Sequence, residues 1–214
     1  MVAAPPVRVA VAGFGPFPGV PKNPSAEIVR EIEKMRRFPA ANIALDTAIF
    51  ETAYGTAGSA LEKLIAKAPD AIVLFGVAGL TKHIRVETIA RNRASLLHPD
   101  RARFTPNTAK LLPGGAPLLR VRGPAIRMRA AIRATGVRAE LSISAGSYLC
   151  NAVFYRALAA AAERTPAPLT FFIHVPQVSP RGFSLAMLVR AGEAAVWTAA
   201  SEAAKSRLVP GRDG

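Results

Sequence analysis

The stretch LSISAGSYLCNAVFYRALAAAAER, residues 141–164, reads in three pieces. Leu141 to Ala145 is a short apolar run of strand type, Gly146 interrupts it, and Ser147 to Arg164 carries a long helical pattern. A strand that turns through glycine into a helix is the repeating unit of α/β architecture, and the same alternation runs through the rest of the chain. Strand-type runs recur at Val7 to Ala12, Ile43 to Phe50, Ala71 to Phe75 and Phe171 to Val175. Helical patterns lie at Ser25 to Met35, opened by a Ser cap after Asn-Pro, at Thr56 to Ala68, at Ala125 to Ala134 before Gly136, and at Ser184 to Ser206. This order predicts a three-layer α/β/α sandwich with a mostly parallel central sheet.

Composition narrows the class. A chain of 214 residues, half of them hydrophobic, suits a single domain over 1–214 with one sizeable core. No stretch approaches the ~18 apolar residues of a membrane span, and the start, MVAAPPVRVAVAGFG, lacks a secretory pattern, so a cytoplasmic protein is expected. One cysteine forbids an internal disulfide, and three histidines beside it exclude a Cys-rich zinc site. The formal charge is +14, with thirteen Lys/Arg against two acids between Lys82 and Arg138. Leu96 to Pro124 is rich in proline and glycine and reads as an irregular excursion. Its basic surroundings show little aromatic interleaving, so nucleic acid is not the expected partner.

Sites in open α/β sheets form outside the carboxyl ends of strands. That rule gathers the loop GFGPFPG after the first strand, GVAGL after the third, the segment around Cys150, and His174 at the end of FFIHV, with Glu87 a little beyond GVAGL. Cys150 falls in the first turn of a helix, where free N–H groups and the helix dipole favour thiolate, although small buried cysteines are also common. His174 is either the base that completes a nucleophilic pair or a hydrogen-bonded core histidine. Glu87, alone among cations, either orients that imidazole or forms an ordinary salt bridge with Arg85 or Arg91. Phe14 and Phe17 offer either flat walls for a small ligand or a hydrophobic plug. His83 and His98 read as solvated loop residues.

Taken together, four segments resemble the pyroglutamyl-peptidase I family of cysteine peptidases. GFGPFPGVPKNPSAEIV is similar to its GF-x-PF-x-G…NPS signature, GVAGLTKHIRVETIARN to its G-Q-A-G-G…I-x-x-E-R-x-A-x-N segment, SAGSYLCNAVFYRAL to its S-A-G-T-Y-x-C-N block, and FFIHVPQVSP to its F-I-H-x-P-Y-x-P block. The resemblance implies Cys150 as nucleophile, His174 as base and then acid, and Glu87 as its orienting carboxylate. It also implies a pyroglutamyl pocket at Phe14, Phe17, Asn23, Val77 and Leu149, a peptide with N-terminal pyroglutamate as substrate, no metal or organic cofactor, and a dimer or tetramer. This chain departs from the family pattern at Val77 for Gln, Leu80 for Gly, Ser147 for Thr, Gln177 for Tyr, and Leu97 for an oxyanion Arg that Arg91, Arg93, Arg101 or Arg103 would have to replace. The alternatives are a hydrolase of another small N-acyl or lactam-type amide, and a basic polyanion-binding protein that keeps the fold with impaired catalysis.

Overall fold

The computed structural model describes residues 4–208. Eight strands and six helices follow in the order β1 (Val7–Phe14), α1 (Pro24–Glu33), α2 (Arg37–Ala40), β2 (Ile43–Phe50), α3 (Tyr54–Ala66), β3 (Ala71–Val77), β4 (Ile84–Glu87), β5 (Ile89–Arg91), β6 (Leu118–Arg120), α4 (Ala125–Ala134), β7 (Ala139–Ser142), α5 (Leu149–Ala162), β8 (Leu169–Val175) and α6 (Leu185–Leu208). Six strands form one sheet in the order β2-β1-β3-β8-β4-β7, and β5 pairs with β6 in a separate ribbon. Within the main sheet only the β4–β8 contact is antiparallel. No described helix is long and apolar enough to cross a membrane.

Strand alternation sorts the side chains into two cores. Val9, Val11, Val73, Phe75, Phe171 and Ile173 face one way, against α1, α4 and α6. Ala10, Ala12, Ile72, Leu74 and Phe172 face the other, against α3 and α5. The central strands are therefore buried on both faces, which is why they read as nearly continuous apolar runs. The three-layer sandwich with a mostly parallel sheet is the observed architecture.

Several details differ from the sequence reading. Strand β7 ends at Ser142, so Ile143 to Ala145 lie outside it. Helix α5 starts at Leu149, two residues after Ser147. The cap of α1 is Asn23, whose side chain accepts from the Ser25 N–H, with Pro24 occupying the first helical turn. Strands β4, β5 and β6 were not foreseen, because their charged residues mask short alternating patterns. The greatest change concerns direction: β4 and β7 run against β8, so their carboxyl ends point to the opposite sheet edge. The chain reverses after Ser142, and Arg85 on β4 donates to the Ser144 carbonyl along that return.

Where β1 ends, α1 presses on it closely. The Ser25 hydroxyl receives the Phe14 N–H at 3.0 Å, and a Cβ on Gly13 would lie 2.4 Å from the Ser25 carbonyl oxygen. Both sides of that contact are backbone, so neither can move aside cheaply. Gly13→Ala is expected to cost about 1–3 kcal/mol through overpacking, seen as a lower urea midpoint with an unchanged m-value.

Candidate active site

Cys150, His174 and Glu87 converge beside a cavity of about 280 Å³, which Cys150 and His174 line. His174 lies near the end of β8, Glu87 ends β4, and Cys150 sits one residue inside α5. In the antiparallel β4–β8 register His174 stands opposite Arg85 and diagonal to Glu87. That diagonal is bridged by a 2.8 Å contact between His174 Nδ1 and Glu87 Oε1. A carboxylate accepting from Nδ1–H leaves Nε2 free to take a proton, and the Cys150 thiol lines the same cavity, over Gly76, the residue beside His174 on β3.

Burial alone would lower the basicity of His174. The negative charge and hydrogen bond of the Cys150 thiolate, followed by those of Glu87, outweigh that effect and raise its pKa to about 9. Beside those neighbours His174 is favoured as the imidazolium around neutral pH. Glu87 also meets the Arg85 guanidinium, with Nε at 3.2 Å. The orienting contact and the salt bridge, posed above as alternatives, are present together. Arg91 instead donates to the Ile143 carbonyl at 2.6 Å.

Gly76 makes the approach of Cys150 possible. It stands beside His174 in the β3–β8 register, and a Cβ there would lie 2.9 Å from Cys150 Sγ and 2.8 Å from Phe172 Cζ. Asn151 fastens the other side of the helix start. Its Oδ1 accepts from Arg91 N–H at 2.9 Å, while its Nδ2 donates to the Arg91 and Arg93 carbonyls, both at 2.8 Å. A fully paired buried amide thus welds α5 to β5. Tyr148, the N-cap, supplies no capping side chain, which leaves the first-turn amides near Cys150 available to a ligand oxygen.

The five pocket residues expected from sequence all line the cavity. Phe14 is almost wholly buried and packs edge-on against Phe50 at 5.7 Å, so it serves both core and wall. Phe17 is half-buried, as is Val77 at the end of β3, whereas Leu149 is buried under the rim. Asn23 spends its polar atoms on the Gly15 carbonyl and on Ser25, and so shapes the loop that carries both phenylalanines. Thr52, Tyr148 and the turn Ala145, Gly146 and Ser147 also line it and were not expected there. Thr52 donates to the Pro16 carbonyl at 3.1 Å, and Tyr148 donates to the Pro99 carbonyl at 3.0 Å.

The chain between β5 and β6 closes over this rim. Buried Asp100 accepts from the Tyr54 N–H at 2.8 Å, capping α3 from a distance, and from the Phe104 N–H at 2.9 Å. The Arg101 N–H donates to the Thr52 carbonyl, and its guanidinium reaches the Pro16 carbonyl at 3.4 Å. Arg93 and Arg103 are exposed, and among the described residues no arginine lines the cavity. Leu97 is 83% exposed and also lies outside the lining, as does Leu80. His98 is exposed, while His83 is half-buried in a turn and its carbonyl accepts from the Thr81 hydroxyl. Among the described residues no group of three or more His, Cys, Asp or Glu is arranged to hold a metal.

Gly76→Ala is expected to preserve the fold, since Phe172 Cζ and the thiol can shift. Alkylation of Cys150 should nevertheless slow by about tenfold or more as Sγ is displaced from His174, read by mass spectrometry against time.

The pyroglutamyl peptidase family model matches residues 7–196. A pyrrolidone-carboxylate peptidase of Levilactobacillus brevis is 31% identical over 173 residues, covering 79% of this chain and 82% of that protein. One from Pseudomonas fluorescens is 33% identical over 172 residues, or 78% of each chain. The crystal structure of pyroglutamyl peptidase I from Bacillus amyloliquefaciens superposes with a TM-score of 0.84 at 26% identity, over 92% of this chain and 97% of that one. Pyrrolidone carboxyl peptidase from Thermococcus litoralis has the same fold, with a TM-score of 0.86 at 24% identity over 94% and 96% of the two chains. With a match that runs from β1 into α6, and relatives above 30% identity along most of their length, this chain belongs to the pyroglutamyl peptidase family.

Proposed function

We propose that the protein is a cysteine exopeptidase that removes an N-terminal pyroglutamyl residue from peptides, with Cys150 as nucleophile, His174 as base and acid, and Glu87 as the carboxylate that orients His174. The observation that carries this reading is the Glu87–His174–Cys150 line ending at a phenylalanine-walled cavity. The lactam is small and flat, and it stacks between Phe14 and Phe17, with Val77 and Leu149 completing an apolar enclosure. Asn23 acts by holding the loop that carries the two rings.

His174 Nε2 takes the Cys150 proton, and the thiolate attacks the carbonyl carbon that links pyroglutamate to the next residue. The oxyanion meets backbone N–H groups at the start of α5, where the helix dipole adds to their effect. As the C–N bond breaks, the imidazolium gives its proton to the departing amine. Water, deprotonated by His174, then cleaves the thioester to release pyroglutamate and restore the thiol. Throughout, Glu87 stabilises the imidazolium and holds its tautomer. No step requires a metal or organic cofactor. A thiol nucleophile suits the reducing cytoplasm, and exposed Leu96, Leu97 and Phe104 on the β5–β6 connection support a dimer or tetramer.

The decisive experiment is release of a fluorescent amine from a pyroglutamyl amide, beside a prolyl amide, with and without prior alkylation. Selective turnover that alkylation and Cys150→Ala both abolish is expected; equal turnover of the two amides would overturn the substrate assignment. Glu87→Gln should lower kcat by about 10²–10⁴ with little change in KM. Phe17→Ala should raise KM several-fold with the fold intact, a cleaner probe than the more deeply buried Phe14. Because the leaving amine needs the imidazolium proton, kcat/KM should fall as pH rises through about 9.

A further inference from the structure

We propose that Arg85 is a positioning residue for this chemistry, holding the Glu87 carboxylate aimed at His174 while it pins the 142–144 return that leads to Cys150. The inference rests on the catalytic roles proposed above. Arg85 and Glu87 are two residues apart on β4, so their side chains share the face that also carries His174. Glu87 is fully buried; its Oε1 accepts from His174 Nδ1 at 2.8 Å and forms an ion pair with Arg85, whose Nε lies 3.2 Å away. Its Oε2 has no hydrogen-bond partner among the described residues. A buried carboxylate so poorly hydrogen-bonded is costly to hold in place without a cation close by.

The same guanidinium reaches the other arm of the site. Nε and Nη2 donate to the Ser142 hydroxyl at 3.2 and 2.6 Å, and Nη2 also donates to the Ser144 carbonyl. These residues open the segment that turns back from β7 towards α5. One planar fork therefore ties the strand of Glu87 to the path of Cys150, a geometry that a single ammonium cannot reproduce. Arg85 does not line the cavity, so it acts through Glu87 and the return segment, without touching substrate.

The charged and titratable neighbours fix the expected signs. His174 faces Glu87 from β8, and Cys150 faces His174 from α5. On β7, Glu140 stands opposite Arg85 in register but is engaged by Arg138 at 3.5 Å. On β5, Arg91 is turned to the Ile143 carbonyl. Removing the Arg85 charge takes a cation away from the Glu87–His174 pair, so the His174 imidazolium becomes easier to keep. Both limbs of the pH profile should then move to higher pH.

The test compares wild type, Arg85→Met and Arg85→Lys as full chains. It measures Cys150 alkylation by iodoacetamide against pH, and kcat/KM against pH on a pyroglutamyl amide. Arg85→Met should shift both limbs up by about one unit, equivalent to tenfold slower alkylation on the acid side, with KM within about twofold of wild type. Arg85→Lys should restore the limbs but keep kcat several-fold low. Limbs that coincide for wild type and a folded Arg85→Met overturn the proposal. If Arg85→Met does not fold, wild-type kcat in Arg85→Lys overturns it instead. Should the wild type fail to cleave pyroglutamyl amides, the substrate reading falls, and the alkylation profile still decides the role of Arg85.

Discussion

Strand β4 meets β8 antiparallel over only three residue pairs, and that contact decides which groups face the cavity. Because directly opposed residues project to the same face, Arg85, Glu87, Phe172 and His174 share one side of the sheet. That side is covered by α5, whose start brings Cys150 over Gly76. A one-residue slip of β4 would turn Arg85 and Glu87 into the opposite core and present Ile84 and Val86 to the imidazole. The apolar packing of Ile84 and Val86 therefore holds the register on which the polar line depends.

The polar line itself is costly to bury. Glu87 has no exposure and His174 almost none, so each charge needs its partner within hydrogen-bond distance. The raised basicity of His174 expresses this mutual dependence, since its ionised neighbours outweigh the desolvation that would otherwise neutralise it. Around the line the protein uses side chains that bind backbone. Asn151 fastens α5 to β5, Asn23 and Thr52 hold the Phe14–Phe17 loop, and Asp100 ties the β5–β6 connection to α3. Rigid walls around a small cavity follow from these contacts.

The layer architecture was legible because buried parallel strands must be apolar and their covering helices periodic. The candidate site residues stood out for a related reason: a cysteine at a helix start and a histidine at a strand end are unusual among alanines and valines. What escaped the reading was direction. The pattern Ile84-Arg85-Val86-Glu87 alternates like a strand, but its charges sit where a two-sided core permits none unless they are paired. Nothing local told which way β4 and β7 run, and Cys150 reaches the same place by a reversed path. Gly76 and Asn151 were missed because their value lies in an approach distance and in backbone partners, neither of which is written in residue type. Leu97 falls on the arginine position of a motif, while in space it is exposed to solvent.

The sequence contains a single sulfur nucleophile of the thiol type, and it stands at the helix start beside an imidazolium. Oxidation there gives a sulfenic acid, which many proteins rescue by condensation with a second cysteine of their own. This chain has no second cysteine, so the oxidised sulfur meets an external thiol, closes on a backbone nitrogen as a sulfenamide that an external thiol must reopen, or proceeds to the sulfinic state, from which it does not ordinarily return. The working lifetime of the protein is thereby coupled to the small-molecule thiol pool around it, a dependence that the fold cannot relieve from within.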